Sequence, residues 1–257
     1  MKKIIFLAFI ATALFVSSCG KDDDNGGGST SLNGDWYLHT IYNNLDGEGL
    51  RWITPNNCAQ KTYWSISDKK IKHEWYHLEG LDCKRTPKYY DYTATNGVFN
   101  MTIADDSPYG NKGNIASIKY KIKDKELILR FKNNQQQEEI QVLHKKGVDY
   151  SYLDPLVGLW KLTKIEAGGT TYPAGTPACF IGYIVASSIG FSLYYTLPAN
   201  STQCQAKEVK SYDYVKEGGK YYNVSNGQKV PIPFSFSNNN QTLTLSLGGT
   251  TMFFQKQ

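Results

Sequence analysis

Cysteine is scarce in this chain, with five in 257 residues, and none of them stands in close C-x-x-C spacing. A four-thiolate zinc site needs that spacing, so its absence speaks against one. Histidine is scarcer, with four residues and none after His144, which leaves no duplicated histidine chemistry across the chain. No glycine loop has the form that cradles phosphate; Gly168-Gly169 and Gly248-Gly249 read as turns. No serine, histidine and acid arrangement has supporting context. Beyond the first 18 residues no long apolar run remains, so nothing further reads as a spanning helix. No later window of a dozen residues carries helical periodicity. Charge of one sign is also missing: residues 33–150 hold 17 basic and 15 acidic side chains, and residues 151–257 hold 8 and 5. Neither half has the basic excess that nucleic acid requires.

What is present begins at the N-terminus. Lys2 and Lys3 precede an apolar stretch of 12 residues, Ile4 to Phe15, followed by Val16-Ser17-Ser18 and then Cys19. A stretch of that length fits a signal-peptide core better than a spanning helix. The pattern resembles a bacterial lipoprotein signal, which implies cleavage of residues 1–18 and lipidation of Cys19. Removing Lys2 and Lys3 with the leader takes the formal net charge from +5 to +3. The following Cys19-Gly20-Lys21-Asp22-Asp23-Asp24 is similar to the acidic export tag of Bacteroidetes surface lipoproteins. That resemblance implies a protein lipid-anchored to the outer membrane and facing the cell exterior. Residues 19–31 then form an acidic, Gly/Ser-rich flexible linker on composition. Each buried methylene of the acyl chains contributes about 0.8 kcal/mol to anchoring.

The rest of the chain is a duplication. Leu32-Asn33-Gly34-Asp35-Trp36-Tyr37-Leu38 and Leu156-Val157-Gly158-Leu159-Trp160-Lys161-Leu162 both read L-x-G-x-W-x-L. Cys58 and Cys83 lie 25 positions apart, and so do Cys179 and Cys204. Tyr90-Asp91-Tyr92 and Tyr212-Asp213-Tyr214 follow, and each copy ends in a polar turn before an alternating strand. Landmarks in the same order identify a tandem repeat. The expected organisation is a signal peptide over 1–18, the tether over 19–31, a first domain over 32–147, a linker over 148–155 and a second domain over 156–257. Paired cysteines in an oxidising envelope predict the disulfides Cys58–Cys83 and Cys179–Cys204. A loop of that size is worth about 3 kcal/mol.

Period-2 alternation bounded by Gly, Asn, Asp and Pro predicts strands, for instance 115–122 with 127–131, and 232–236 with 242–247. Asp124-Lys125 and Asn239-Asn240 are the expected hairpin turns. The fold class is all-β, as two small antiparallel barrels. Gly34-Asp35-Trp36 and Gly158-Leu159-Trp160, with the cysteine pairs and tyrosine-rich later strands, resemble the lipocalin-like domains of Bacteroidetes surface lipoproteins. Trp36 and Trp160 are expected to plug one barrel end, with Gly34 and Gly158 permitting close backbone approach.

One motif invites an enzymatic reading. His73-Glu74-Trp75-Tyr76-His77 has the H-E-x-x-H form of zinc peptidases, with His73 and His77 as ligands and Glu74 as base. That chemistry needs a helix, whereas the local pattern reads as strand, where the two histidines would stand about 13 Å apart. The third ligand position holds Cys83, and the second copy carries Phe191 to Leu197 without ligands. No catalytic residue, metal or cofactor is therefore assigned. Asp91 and Asp213 are expected to face solvent between inward tyrosines. The expected function is non-enzymatic: a surface lipoprotein that binds a ligand or glycan, held by its acyl chains. The alternative is a structural or interaction subunit docked on an outer-membrane protein complex, since tyrosine-rich surfaces also suit protein interfaces.

Overall fold

A computed structural model describes residues 31–44, 50–104, 113, 115–132, 136–175, 181–196, 208–225 and 227–257. Cys19 and the tether up to residue 30 lie outside these residues, as do Cys179 and Cys204. No helix among the described residues is long and apolar enough to cross a membrane.

The first copy forms strands β1 (Gly34–Asn43), β2 (Arg51–Ile53), β3 (Tyr63–Ile66), β4 (Lys70–Glu79), β5 (Asp82–Thr95), β6 (Val98–Ile103), β7 (Ile115–Lys123), β8 (Glu126–Lys132) and β9 (Glu138–Lys145). Every pairing is antiparallel, and β9 returns to β1, so eight strands close a barrel while β2 adds to the edge of β1. Asp124 and Lys125 both take positive φ, which gives the tight β7–β8 turn the twist of its strands.

The second copy forms β10 (Gly158–Ala167), β11 (Thr170–Pro173), β12 (Gly182–Ala186), β13 (Gly190–Tyr195), β14 (Glu208–Glu217), β15 (Lys220–Ser225), β16 (Gln228–Ile232), β17 (Phe234–Ser237), β18 (Thr242–Leu247) and β19 (Thr250–Lys256). Its sheet runs from β16 round to β17 without a ladder between these two ends. Pro233 separates them, and proline has no N–H for a ladder, so one long strand is split and the barrel is nearly closed. The β17–β18 connection spans Asn238 to Gln241, longer than the two-residue turn expected, with Asn238, Asn239 and Asn240 all at positive φ.

The repeated L-x-G-x-W-x-L has the same geometry twice. Trp36 and Trp160 are fully buried, and each indole N–H donates to the carbonyl four residues back, on Leu32 or Leu156, at 2.7 Å. A lysine from the last strand crosses each ring, with Lys145 Nζ and Lys256 Nζ each 5.2 Å from the centroid. Gly34 and Gly158 sit at φ +129° and +128°, which L-residues rarely adopt. A Cβ at Gly34 would lie 2.8 Å from Lys145 Cε, so the glycine also makes room for the lysine.

Each barrel has its own apolar core, and a third cluster joins them: Trp52, Ile128, Ile140 and Val142 of the first against Val185 of the second. Trp52 is the centre of this seam. Its backbone N–H donates to Ser192 Oγ at 2.7 Å, and its indole lies where any side chain on Gly190 would collide. Residues 31–257 accordingly form one compact unit.

Candidate functional site

Strand alternation decides what enters the first barrel. On β4 the inward positions are Ile71, His73, Trp75 and His77, because His73 is registered against Trp64 and Ile71 against Ile66, both core residues. On β5 the inward set includes Lys88 and Tyr90, registered against His73 and Ile71. On β9 it is Glu139, Gln141 and Leu143. At the Trp36 end this interior is apolar. At the opposite end it becomes polar, with His73, Lys88, Glu139 and Gln141 facing inward.

These groups are built in rather than incidental. The His73 ring stacks on Trp64 with centroids 4.1 Å apart, and Trp75 lies across it at 6.3 Å. Trp64 donates its indole N–H to Gln141 Oε1 at 3.1 Å, and Gln141 donates onward to Glu139 Oε1 at 3.0 Å. His73 Nε2 is shielded and has no hydrogen-bond partner among the described residues. Burial, with the Lys88 ammonium adding to it, pushes His73 down to about 3. Burial also lowers Lys88 and raises Glu139, in the latter against hydrogen bonds from Gln141 and Asn43. No carboxylate pairs with Lys88 among the described residues. His73, Trp75, Lys88 and Glu139 are partly accessible although they face inward, so solvent reaches this end of the barrel. Perturbed ionisable groups gathered beside aromatic rings are a physical mark of a candidate binding site.

The H-E-x-x-H residues lie within strand β4, so His73 and His77 share a face about 13 Å apart and cannot share one ion. Glu74 points to the other face. Burial works to raise its carboxyl, but hydrogen bonds from Lys72 and Tyr63 outweigh burial and hold it below the ordinary value. Cys83 is bonded to Cys58, with Cα atoms 5.5 Å apart, which staples the β4–β5 hairpin to the short 3-10 turn before β3. Asp91 is exposed and paired with Lys70, between the inward Tyr90 and Tyr92. Asp213 is exposed as well, and it lines a cleft of about 400 Å³ at the seam between the barrels, beside Tyr42 and Glu138. Close packing there raises its carboxyl, against the pull of Arg130.

A second cluster was not legible in the sequence. His39, Glu126 and His144 come together on the outer face of the first barrel, their candidate ligand atoms all within 4.8 Å of one another. His39 is the extra residue of a bulge where β1 slips against β9. His144 and Glu126 are registered opposite each other on β9 and β8, with His144 Nε2 2.6 Å from Glu126 Oε1. Burial first and the neighbouring His144 second lower His39 to about 4, with Glu126 opposing. Only the strand register brings these residues together, since His39 and His144 stand at opposite ends of the first copy.

The chain matches no protein-family model and no curated protein sequence.

Proposed function

We propose that this chain is a non-enzymatic, lipid-anchored surface protein whose first barrel binds a small organic anion. The lipoprotein-like N-terminus supports the anchor and the exterior location. The single observation that carries the binding reading is the partly accessible polar end of the first barrel. There Lys88, without a carboxylate partner among the described residues, sits beside the unpaired His73 Nε2 and the Trp75 ring. Lys88 would take the anionic group, His73 an uncharged polar group and Trp75 a flat apolar body.

A second reading, a docking subunit of an outer-membrane assembly, is favoured by one feature. Leu78 and Leu81 at the tip of the β4–β5 hairpin are 51% and 100% exposed. Native mass spectrometry of the protein extracted in mild detergent from its own membrane separates the two. A small-molecule adduct that is lost in Lys88→Met supports binding in the barrel. A stoichiometric membrane-protein partner and no adduct would replace that reading with the second. The anchor has its own check: Cys19→Ala should move the chain to the soluble fraction. Retention after carbonate washing would sink it.

A further inference from the structure

We infer that His39, Glu126 and His144 form a binding site for one divalent transition-metal ion, of the zinc class, on the outer face of the first barrel. The site is separate from the barrel interior and does not depend on what binds there.

The argument starts from Glu126. Its side chain is completely buried. One carboxylate oxygen meets His144 Nε2 at 2.6 Å, and the other, Oε2, is buried without a hydrogen-bond partner. A buried acceptor left unmade is destabilising, and more so when it is charged. The remaining neighbours are imidazoles. His39 stacks on His144 with centroids 3.9 Å apart, and its Nδ1 lies 2.8 Å from Thr40 Oγ1. That contact occupies one ring nitrogen and leaves Nε2 as the free ligand atom, the usual way an outer hydrogen bond orients a metal-binding histidine. Tyr150 covers the other face of His144 at 3.8 Å, and its hydroxyl is fixed by Lys145 N–H and Lys125 C=O.

Three donors, two nitrogens and one oxygen, suit zinc, copper or nickel better than calcium or magnesium, which prefer oxygen shells. Three protein ligands also leave a coordination position for water or another small ligand. Metal–ligand distances of about 2.0–2.2 Å set donor separations of about 3.3–3.5 Å, so donors at the 4.8 Å limit must close by about 1.4 Å, while His144 Nε2 and Glu126 Oε1, now 2.6 Å apart, must open by a little under 1 Å. His144 is clamped between Tyr150 and His39, so closure falls to His39, which must turn out of the stack. The bulge that carries His39 gives that residue a backbone free of the regular ladder.

The second barrel supplies the control. The registers of its strands put Thr163, Thr242 and Gln255 at the positions of His39, Glu126 and His144. That barrel folds without the triad, so the triad is not demanded by the frame.

The test is isothermal titration of the untagged, oxidised, chelator-stripped mature chain with Zn2+. One ion per chain is expected. Glu126→Gln keeps the carbonyl acceptor for His144 but removes the charge, and should weaken binding at least tenfold. The double variant His39→Thr and His144→Gln, which installs the second barrel's residues, should abolish it. X-ray absorption of the zinc-loaded chain should show two imidazoles with oxygen donors. Absence of binding, binding unaffected by both variants, or sulfur in the ion's shell would each overturn the inference. In the first case Oε2 is met by water in a purely packed His–Tyr stack.

Discussion

In the first barrel the inward positions on β3, β4 and β9 carry Trp64, His73 and Gln141; in the second the same registers on β12, β13 and β19 carry Ile184, Leu193 and Met252. Both barrels keep the tryptophan, the glycine and the crossing lysine at the plugged end. What differs is the next layer up. Leu193 and Met252 join a continuous apolar core and seal the second barrel there. His73 and Gln141 interrupt the first core and make a polar wall. A barrel needs one packed layer to hold its strands, and the layers beyond it are free to be spent on a ligand. The duplication therefore separates the frame from the site: shared residues are frame, and inward residues that differ are the places to look for function.

The largest expected effect concerns what is shared. Trp36→Ala and Trp160→Ala should each cost about 3–5 kcal/mol, as for other buried tryptophans. Trp52→Ala should cost a similar amount but act on the seam. Urea unfolding followed separately in each barrel should then show two transitions where the parent shows one. A single transition in Trp52→Ala would mean that the seam is held by something other than this ring.

Next comes the disulfide. Cys58→Ala with Cys83→Ala should lose about 3 kcal/mol, from the freedom returned to the unfolded loop. If the second copy follows the first, Cys179→Ala with Cys204→Ala should lose the same. Peptide mapping without reductant should show Cys179 linked to Cys204, and free thiols at both would break the symmetry between the copies.

The third effect is confined to the first barrel. An unfolded chain protonates His73 near 6.5, whereas the folded chain resists until about 3. Below about 6.5 the unfolded state holds the extra proton, so stability that is complete above that pH is lost as pH falls toward 3. The slope is about 1.4 kcal/mol per pH unit for this proton. His73→Leu, the residue of the second barrel, should remove that slope and add about 1 kcal/mol at pH 7 by eliminating an unmade hydrogen bond. His39, held neutral to about 4, and the lowered Glu74 leave a slope of the same sign, which the raised Glu139 and Asp213 oppose. Denaturant midpoints at pH 7 and 4.5 decide it; an unchanged slope in His73→Leu would show that His73 is protonated in the folded barrel.

Much of the frame is legible in the sequence alone. Period-2 alternation located β7, β8 and β18, and the repeat located both tryptophan plugs, because each rests on residues close in sequence. The pairing of Cys58 with Cys83 followed from matched spacing. Alternation alone runs one strand over 232–236, whereas Pro233 splits it between β16 and β17, because the proline has no N–H for the ladder. Two features needed register. Lys88 reads as an ordinary surface lysine until it is set opposite His73. His39 and His144 read as isolated histidines until the β1 bulge and the β8–β9 ladder place them on one outer face. Trp52 had no local signal, since its partners, Val185 and Gly190, lie in the other copy.

The smallest expected effect tests whether the shared plugs are equal in energy as well as in form. Lys145 and Lys256 sit at the same distance over their tryptophans, and each also donates to a backbone carbonyl preceding its barrel, Ser31 O at 2.7 Å and Pro155 O at 2.9 Å. A cation over an indole contributes about 0.5–1 kcal/mol where it is partly exposed. Lys145→Met and Lys256→Met keep the methylene cover and remove only the charge and its hydrogen bond, so each should lose about 1 kcal/mol in denaturant unfolding. The two differ in environment: burial lowers Lys256 while Asp154 works to raise it. Burial at Lys256 offsets part of the gain from the ring, so its replacement should cost at most about 1 kcal/mol. A larger loss at Lys256 would mean that the Asp154 field outweighs burial, and that the linker between the barrels, rather than the tryptophan, is what this lysine secures.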